Sequence, residues 1–163
     1  MLIDVQTRFS GTHTAAGVIS GQSITDTAIS EHVLDLRNFR TGVTTPATAD
    51  EGLLGFTDQW LIVQVLTAAA GGDAAKTLTT SLESDTAVGL NSAAVVHFTT
   101  AAIAGSALTA GASVVRTQLP SADYKRYLGL RYTVSATFTA FTVIAFLTPN
   151  PQRNIVYPSG ITY

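Results

Sequence analysis

Between residues 125 and 147 the chain reads KRYLGLRYTVSATFTAFTVIAFL, its densest run of Tyr, Phe, Val, Ile and Thr, the residue types that suit a pleated, half-buried surface. In the first half Leu128, Leu130, Tyr132, Val134 and Ala136 alternate with Tyr127, Arg131, Thr133 and Ser135. That period of two predicts a strand with one face in a core and with Arg131 pointing outward. In the second half Phe141, Val143, Ala145 and Leu147 alternate with Thr142, Ile144 and Phe146, so both faces are apolar. Such a strand is expected inside a sheet or beneath a neighbouring subunit. Pro149 and Pro151 end it, because proline cannot donate to a ladder. The two halves are expected to form a central hairpin.

Elsewhere the apolar pattern comes in shorter pieces. WLIVQVLT at 60–67 and TLTTSLE at 77–83 read as a strand pair, with Gly71, Gly72 and Asp73 supplying the positive-φ positions of a hairpin connection. AVVHFT at 94–99 and SVVRTQL at 113–119 read as two more strands, and the small-residue tract 100–111 between them is either a loose loop or a flat edge strand. Upstream, residues 31–36 form the better strand of QSITDTAISEHVLDL, with Ile24, Ile29, Val33, Leu34 and Leu36 as core candidates, while Val18 and Ile19 mark a brief one. Residues 37–59 read as a long loop punctuated by Gly42, Pro46, Gly52 and Gly55, with a helical turn near 50–54. Residues 1–9 read as an extended arm whose apolar contacts are Leu2, Val5 and Phe9, and residues 157–163 as a C-terminal tail. Many short strands, frequent turn residues and almost no helical periodicity predict an all-β antiparallel sandwich in one domain, 1–163.

Composition adds an expectation of assembly. Only 12% of the 163 residues are charged and 46% are hydrophobic, with a net charge of −2. The surface must then be covered by Thr, Ser and Ala, which is poor in solubilising charge for a free monomer. A homo-oligomer, dimer or trimer, follows from that surface and from the doubly apolar strand at 141–147. The absence of cysteine excludes disulfides, thiol catalysis and cysteine zinc sites. The tracts 87–96 and 99–115 are uncharged but interrupted by Gly, Ser, Thr and Asn, so neither makes the ~20-residue apolar span of a membrane helix. The N-terminus lacks a basic region followed by a hydrophobic run, and no signal peptide is expected.

Candidate chemistry is sparse. His13, His32 and His97 lack metal-ligand spacing. GGDAAKT at 71–77 has a passing likeness to a phosphate loop, yet it lacks the glycine before the lysine and precedes a strand rather than a helix N-terminus. No G-x-S-x-G elbow occurs. Arg116, Lys125, Arg126 and Arg131 are expected to gather on one side of the central strands, as a solvated edge or a patch for an acidic partner, but they are too few for a nucleic-acid footprint. Neither enzyme activity nor a cofactor, metal, nucleic acid or membrane partner is expected.

Several pieces resemble the jelly-roll capsid cement (decoration) proteins of tailed bacteriophages: the opening MLID with Phe9 and Ser10 after it, SITDTAISEHVLDL, KRYLGLRYTV, the return VIAFLT, and the C-terminal YPSGIT. The Gly- and Thr-rich stretch 11–21 and the loop 37–59 depart from that pattern. The resemblance implies a jelly-roll sandwich with N- and C-terminal arms, made in the bacterial host cytoplasm, that oligomerises on the outside of an icosahedral head and ties major capsid proteins together. On that reading the apolar side chains of the arms, Leu2, Ile3, Val5, Phe9, Tyr157, Ile161 and Tyr163, are the candidates for the capsid or subunit interface. The alternative is a carbohydrate-binding or receptor-adhesion sandwich in which Phe39, Phe56 and Trp60 carry the site, although a lone tryptophan at the start of an apolar strand also suits a core anchor.

Overall fold

The computed structural model describes residues 7–13, 18–36 and 59–149, and these form an all-β sandwich of antiparallel sheets. The first sheet contains β1 (Arg8–Ser10), β4 (Gln22–Ser23), β7 (Trp60–Thr67), β11 (Ser113–Gln118) and β13 (Thr142–Thr148), in the order β1-β13-β7-β11 with β4 also on β13. The second contains β5 (Ala28–Ile29), β6 (Leu34–Asp35), β8 (Thr77–Asp85), β9 (Val95–Thr99), β10 (Ile103–Ala104) and β12 (Tyr127–Val134). Its order is β10-β8-β12-β5, with β6 also on β12 and β9 also on β8. A small ribbon pairs β2 (Thr12–His13) with β3 (Ile19–Ser20). Among the described residues there is no α-helix, only 3-10 turns such as Gly71–Asp73 and Gly105–Ala107.

The alternation in the sequence sets the inner faces. Leu61, Val63 and Val65 of β7 and Val143, Ala145 and Leu147 of β13 meet Leu78 and Leu82 of β8 and Leu128, Leu130 and Tyr132 of β12 in one core. Each fully buried aliphatic side chain contributes roughly 1.5–3 kcal/mol of transfer free energy, so the rows from both sheets drive them together. β13 runs between β7 and the β1/β4 side, and Ile144 and Phe146 on its other face are buried as well. This matches the doubly apolar pattern. Pro149 follows its last strand residue, as expected.

Three expectations are corrected. The strands at 125–134 and 141–147 do not form a hairpin: β12 pairs with β8, β5 and β6, whereas β13 pairs with β7, β1 and β4. Likewise β7 and β8 belong to opposite sheets and are not a pair. The links 68–76 and 135–141 therefore cross the sandwich edge, which requires spanning the ~10 Å between packed sheets. Gly71 and Gly72 serve that crossing, not a tight hairpin turn. Both links are joined by Asp73, which is almost fully buried and accepts hydrogen bonds from Lys76 Nζ (2.6 Å) and the Thr139 backbone N–H (2.8 Å). The ammonium bonded to it, with the Thr139 N–H, holds its carboxyl below the ordinary aspartate range. Lys76 also donates to the Thr137 carbonyl and lies 5.8 Å from the Phe138 ring, so the GGDAAKT lysine fastens two crossings.

The third correction concerns Phe9. It is 0% exposed and part of the core cluster, because β1 pairs with β13 and the chain bulges between Arg8 and Ser10. Phe9 is a core residue and not an arm contact. The strand expected at 31–36 is realised as the two residues of β6, and the brief strand at Val18 and Ile19 as β3. The tract 100–111 contains both β10, on the edge of β8, and the turn Gly105–Ala107.

Candidate assembly surfaces

Of the seven interface candidates, Leu2, Ile3, Val5, Tyr157, Ile161 and Tyr163 lie outside the described residues, as do Phe39, Phe56 and the turn at 50–54. Phe9 is in the core. Trp60 is half-buried on β7, paired across the sheet with Gln118 and Thr148.

The basic residues separate. Arg116 is on β11 of the first sheet, while Lys125, Arg126 and Arg131 are on or just before β12 of the second. Arg126 grips Asp35 of β6 through Nε (3.1 Å) and Nη2 (2.8 Å) and stacks 4.6 Å from the Tyr127 ring. Arg131 is on the outer side, as its position in the alternation predicts, but its Nε donates to the buried Glu83 at 2.8 Å. Lys125 donates to the Ala93 carbonyl. Each of these three cations thus has a bond within the chain.

Large apolar side chains exposed among the described residues are Val18 and Ile19 at β3, Leu66 on β7, and Val88, Val95 and Val96 on the β8–β9 hairpin. The hairpin group has the firmest support beneath it. Asp85 ends β8 fully buried, and its carboxylate accepts from the backbone N–H groups of Thr86 (2.6 Å), Ser92 (2.9 Å) and Ala93 (3.2 Å). Burial alone would raise this carboxyl, but those N–H groups outweigh it and hold the pKa at about 2. One ionised side chain thus closes the loop between the strands.

The same loop folds onto the outer face of the second sheet. Leu90, 1% exposed, adopts φ +49°, a conformation that costs a leucine free energy and persists only where surroundings enforce it. Arg131 Nη2 donates to its carbonyl at 2.6 Å, and its side chain fills the space left by Gly129, where an added Cβ would lie 2.7 Å from Leu90 Cδ1. Glu83 completes the clamp, bonded by Ser81 Oγ (2.7 Å) as well as by Arg131. Beyond it Val88 is 60% exposed, and the adjacent Val95 and Val96 are 42% and 55% exposed, one on each face of β9.

At the inner side of β9, His97 Nε2 lies 2.7 Å from Ser84 Oγ, which also accepts from the Lys125 N–H (2.9 Å). The hydroxyl and the imidazole thus share one hydrogen bond beside the Lys125 contact. Burial, with Lys125 nearby, pushes His97 below its ordinary value and keeps it neutral. Its ring packs 4.4 Å from Tyr124, whose buried phenol is pushed up to about 12 and donates to the Pro120 carbonyl. Ser84 is fully buried, so this pair anchors β9 and offers no accessible nucleophile. Among the described residues no group of three or more His, Asp or Glu could hold a metal ion.

A family model described as Bbp16 matches residues 18–147, which is 130 of the 163 positions. The chain belongs to the Bbp16 family. The match takes in the β8–β9 hairpin and β12, and stops short of all seven arm candidates of this Bbp16-family chain. No curated protein matches the chain.

The period of the chain places Val95 and Val96 in a strand but does not mark them, or Val88, as exposed. The available signal was the charge pattern: the thirty positions between Asp85 and Arg116 hold no Asp, Glu, Lys or Arg.

Proposed function

We propose that this chain is a jelly-roll cement subunit that binds the outer surface of a phage head as a homo-oligomer and stabilises it by bridging major capsid proteins. The observation that carries the reading is membership of the Bbp16 family, compatible with a phage structural protein, across the sandwich strands from β4 into β13. Strand order supports the finer fold. β1 and β4 share one side of β13, β5 and β6 one side of β12, and β9 and β10 one side of β8. Counted as single positions in chain order, the sheets read 1-8-3-6 and 5-4-7-2, the arrangement of a two-sheet jelly roll built from Greek keys. Capsid and lectin domains share that architecture, so fold alone does not choose between them.

The supporting surface is apolar and uncharged where the β8–β9 hairpin projects, and the arms add apolar side chains in the sequence. Repetition of a modest contact around an oligomer gives avidity. Incubation of the purified protein with undecorated heads tests the reading. Co-sedimentation with heads, and a rise in the temperature at which they rupture, is the expected result. Protein that stays in the supernatant and is instead retained on a glycan array overturns it in favour of the adhesion module.

A further inference from the structure

We propose that Asn91 is a latent self-modification site, an asparagine that can cyclise onto the Ser92 backbone nitrogen and lose its amide, and that the Asp85 carboxylate holds this reaction shut in the folded chain. The inference concerns the covalent lifetime of the β8–β9 loop and stands apart from the cement reading.

The first observation is the residue that follows. Asparagine deamidates when the next backbone nitrogen reaches its side-chain carbonyl carbon, and bulk on that next residue slows the approach. The chain holds Asn38, Asn91, Asn150 and Asn154, followed by Phe39, Ser92, Pro151 and Ile155. Proline has no N–H to give up, and Phe and Ile are large. Asn91, before a serine, is the reactive one, and it is exposed in the loop between β8 and β9. The reaction balances with solvent water alone. Ser92 N loses its proton and attacks Asn91 Cγ, a C–N bond forms, and the side-chain nitrogen leaves as ammonia. Water then opens the succinimide at either carbonyl, giving aspartate, or isoaspartate with an extra methylene in the backbone. Either product brings a carboxylate into the thirty positions between Asp85 and Arg116, which otherwise hold no Asp, Glu, Lys or Arg.

The second observation is the lock on the attacking atom. Ser92 N–H donates to Asp85 Oδ2 at 2.9 Å, and the amides of Thr86 (2.6 Å) and Ala93 (3.2 Å) donate to the same carboxylate. Asp85 is fully buried, so the Ser92 N–H points inward while Asn91 lies in solvent. A charge-assisted bond of this kind must break before the nitrogen can turn toward Asn91 Cγ. The carboxylate does not promote the attack in its place: with its pKa at about 2 it is far too weak a base to take a backbone amide proton. On the other side of Asn91 the backbone is restrained as well, since Arg131 Nη2 holds the Leu90 carbonyl at 2.6 Å.

The test incubates the full-length protein in mildly alkaline buffer at physiological temperature and follows conversion of amide to acid by peptide mass spectrometry. Unfolded in guanidinium chloride, the chain should convert at Asn91 before Asn38, Asn150 or Asn154. Folded, it should convert there at least about tenfold more slowly. Asp85→Ala, checked for folding by far-ultraviolet circular dichroism, should recover most of the unfolded rate. Arg131→Ala, which frees the Leu90 carbonyl but keeps the carboxylate, should recover little. A further measurement needs neither variant. In the natural protein, hydrogen exchange at the Ser92 N–H and conversion of Asn91 should quicken together as denaturant rises below the unfolding transition, since both need the same local opening. Equal rates in the folded and unfolded natural chain overturn the proposal. So does a folded Asp85→Ala that converts no faster than the natural protein, an Arg131→Ala that converts as fast as Asp85→Ala, or a conversion rate that does not follow Ser92 exchange.

Discussion

Ser10 Oγ and Tyr132 Oη lie 2.7 Å apart in the middle of the core, joining β1 of one sheet to β12 of the other across 122 positions of sequence. Tyr132 is fully buried, and burial pushes its phenol upward, so it remains a neutral hydroxyl partner. Tyr132→Phe leaves the Ser10 hydroxyl buried without this partner, at a cost of about 1–3 kcal/mol. Urea denaturation should show the midpoint falling with an unchanged slope. A variant as stable as the natural protein would mean that the bond contributes nothing net.

Phe9 lies on the same short strand and is sealed in the core. Phe9→Ala is expected to cost about 3–5 kcal/mol through lost burial and the cavity left behind. Thermal unfolding distinguishes this from an arm residue, whose truncation leaves the transition in place. The experiment also sets where an N-terminal deletion can stop without entering the sandwich, namely before Arg8.

Gly129 carries the Leu90 side chain against its bare Cα, with Leu90 Cδ1 at 2.7 Å from an added Cβ. Gly129→Ala should displace the β8–β9 loop and cost about 1–3 kcal/mol. Proteolysis in the loop should quicken in step, since the Arg131 bond to the Leu90 carbonyl holds the same segment.

Acid should open this hairpin. Asp85 has its folded pKa at about 2 against an ordinary 3.8, so the unfolded state binds a proton first as pH falls. Its stabilising contribution is complete above the ordinary value and is lost progressively as pH drops from there through about 2. Asp73, also held low, adds to the loss in the same direction. Thermal midpoints measured from neutral pH down to about 2 should fall in that window, and Asp85→Asn should start lower and flatten the fall.

The alternation of Leu128, Leu130 and Tyr132 with Tyr127, Arg131 and Thr133, and the doubly apolar run of β13, were legible because the period of a strand is a local property of the chain. So were the class of fold and the absence of a helical face. Pairing was not legible. Every half-buried antiparallel strand offers the same backbone ladder and a similar apolar row, so neighbours in sequence look like hairpins. Only packing showed that β7 and β8, and again β12 and β13, must stand on opposite sheets to bury their rows against each other. Phe9 looked like an arm for the same reason, since the strand that covers it, β13, is far away in the chain. The exposed hairpin was half visible: sequence alone shows thirty positions without a charged residue. That these positions include Val95 and Val96 exposed on a strand whose partner among the described residues is β8 was decided by the tertiary structure, because solvent exposure depends on which strands the rest of the chain has already paired.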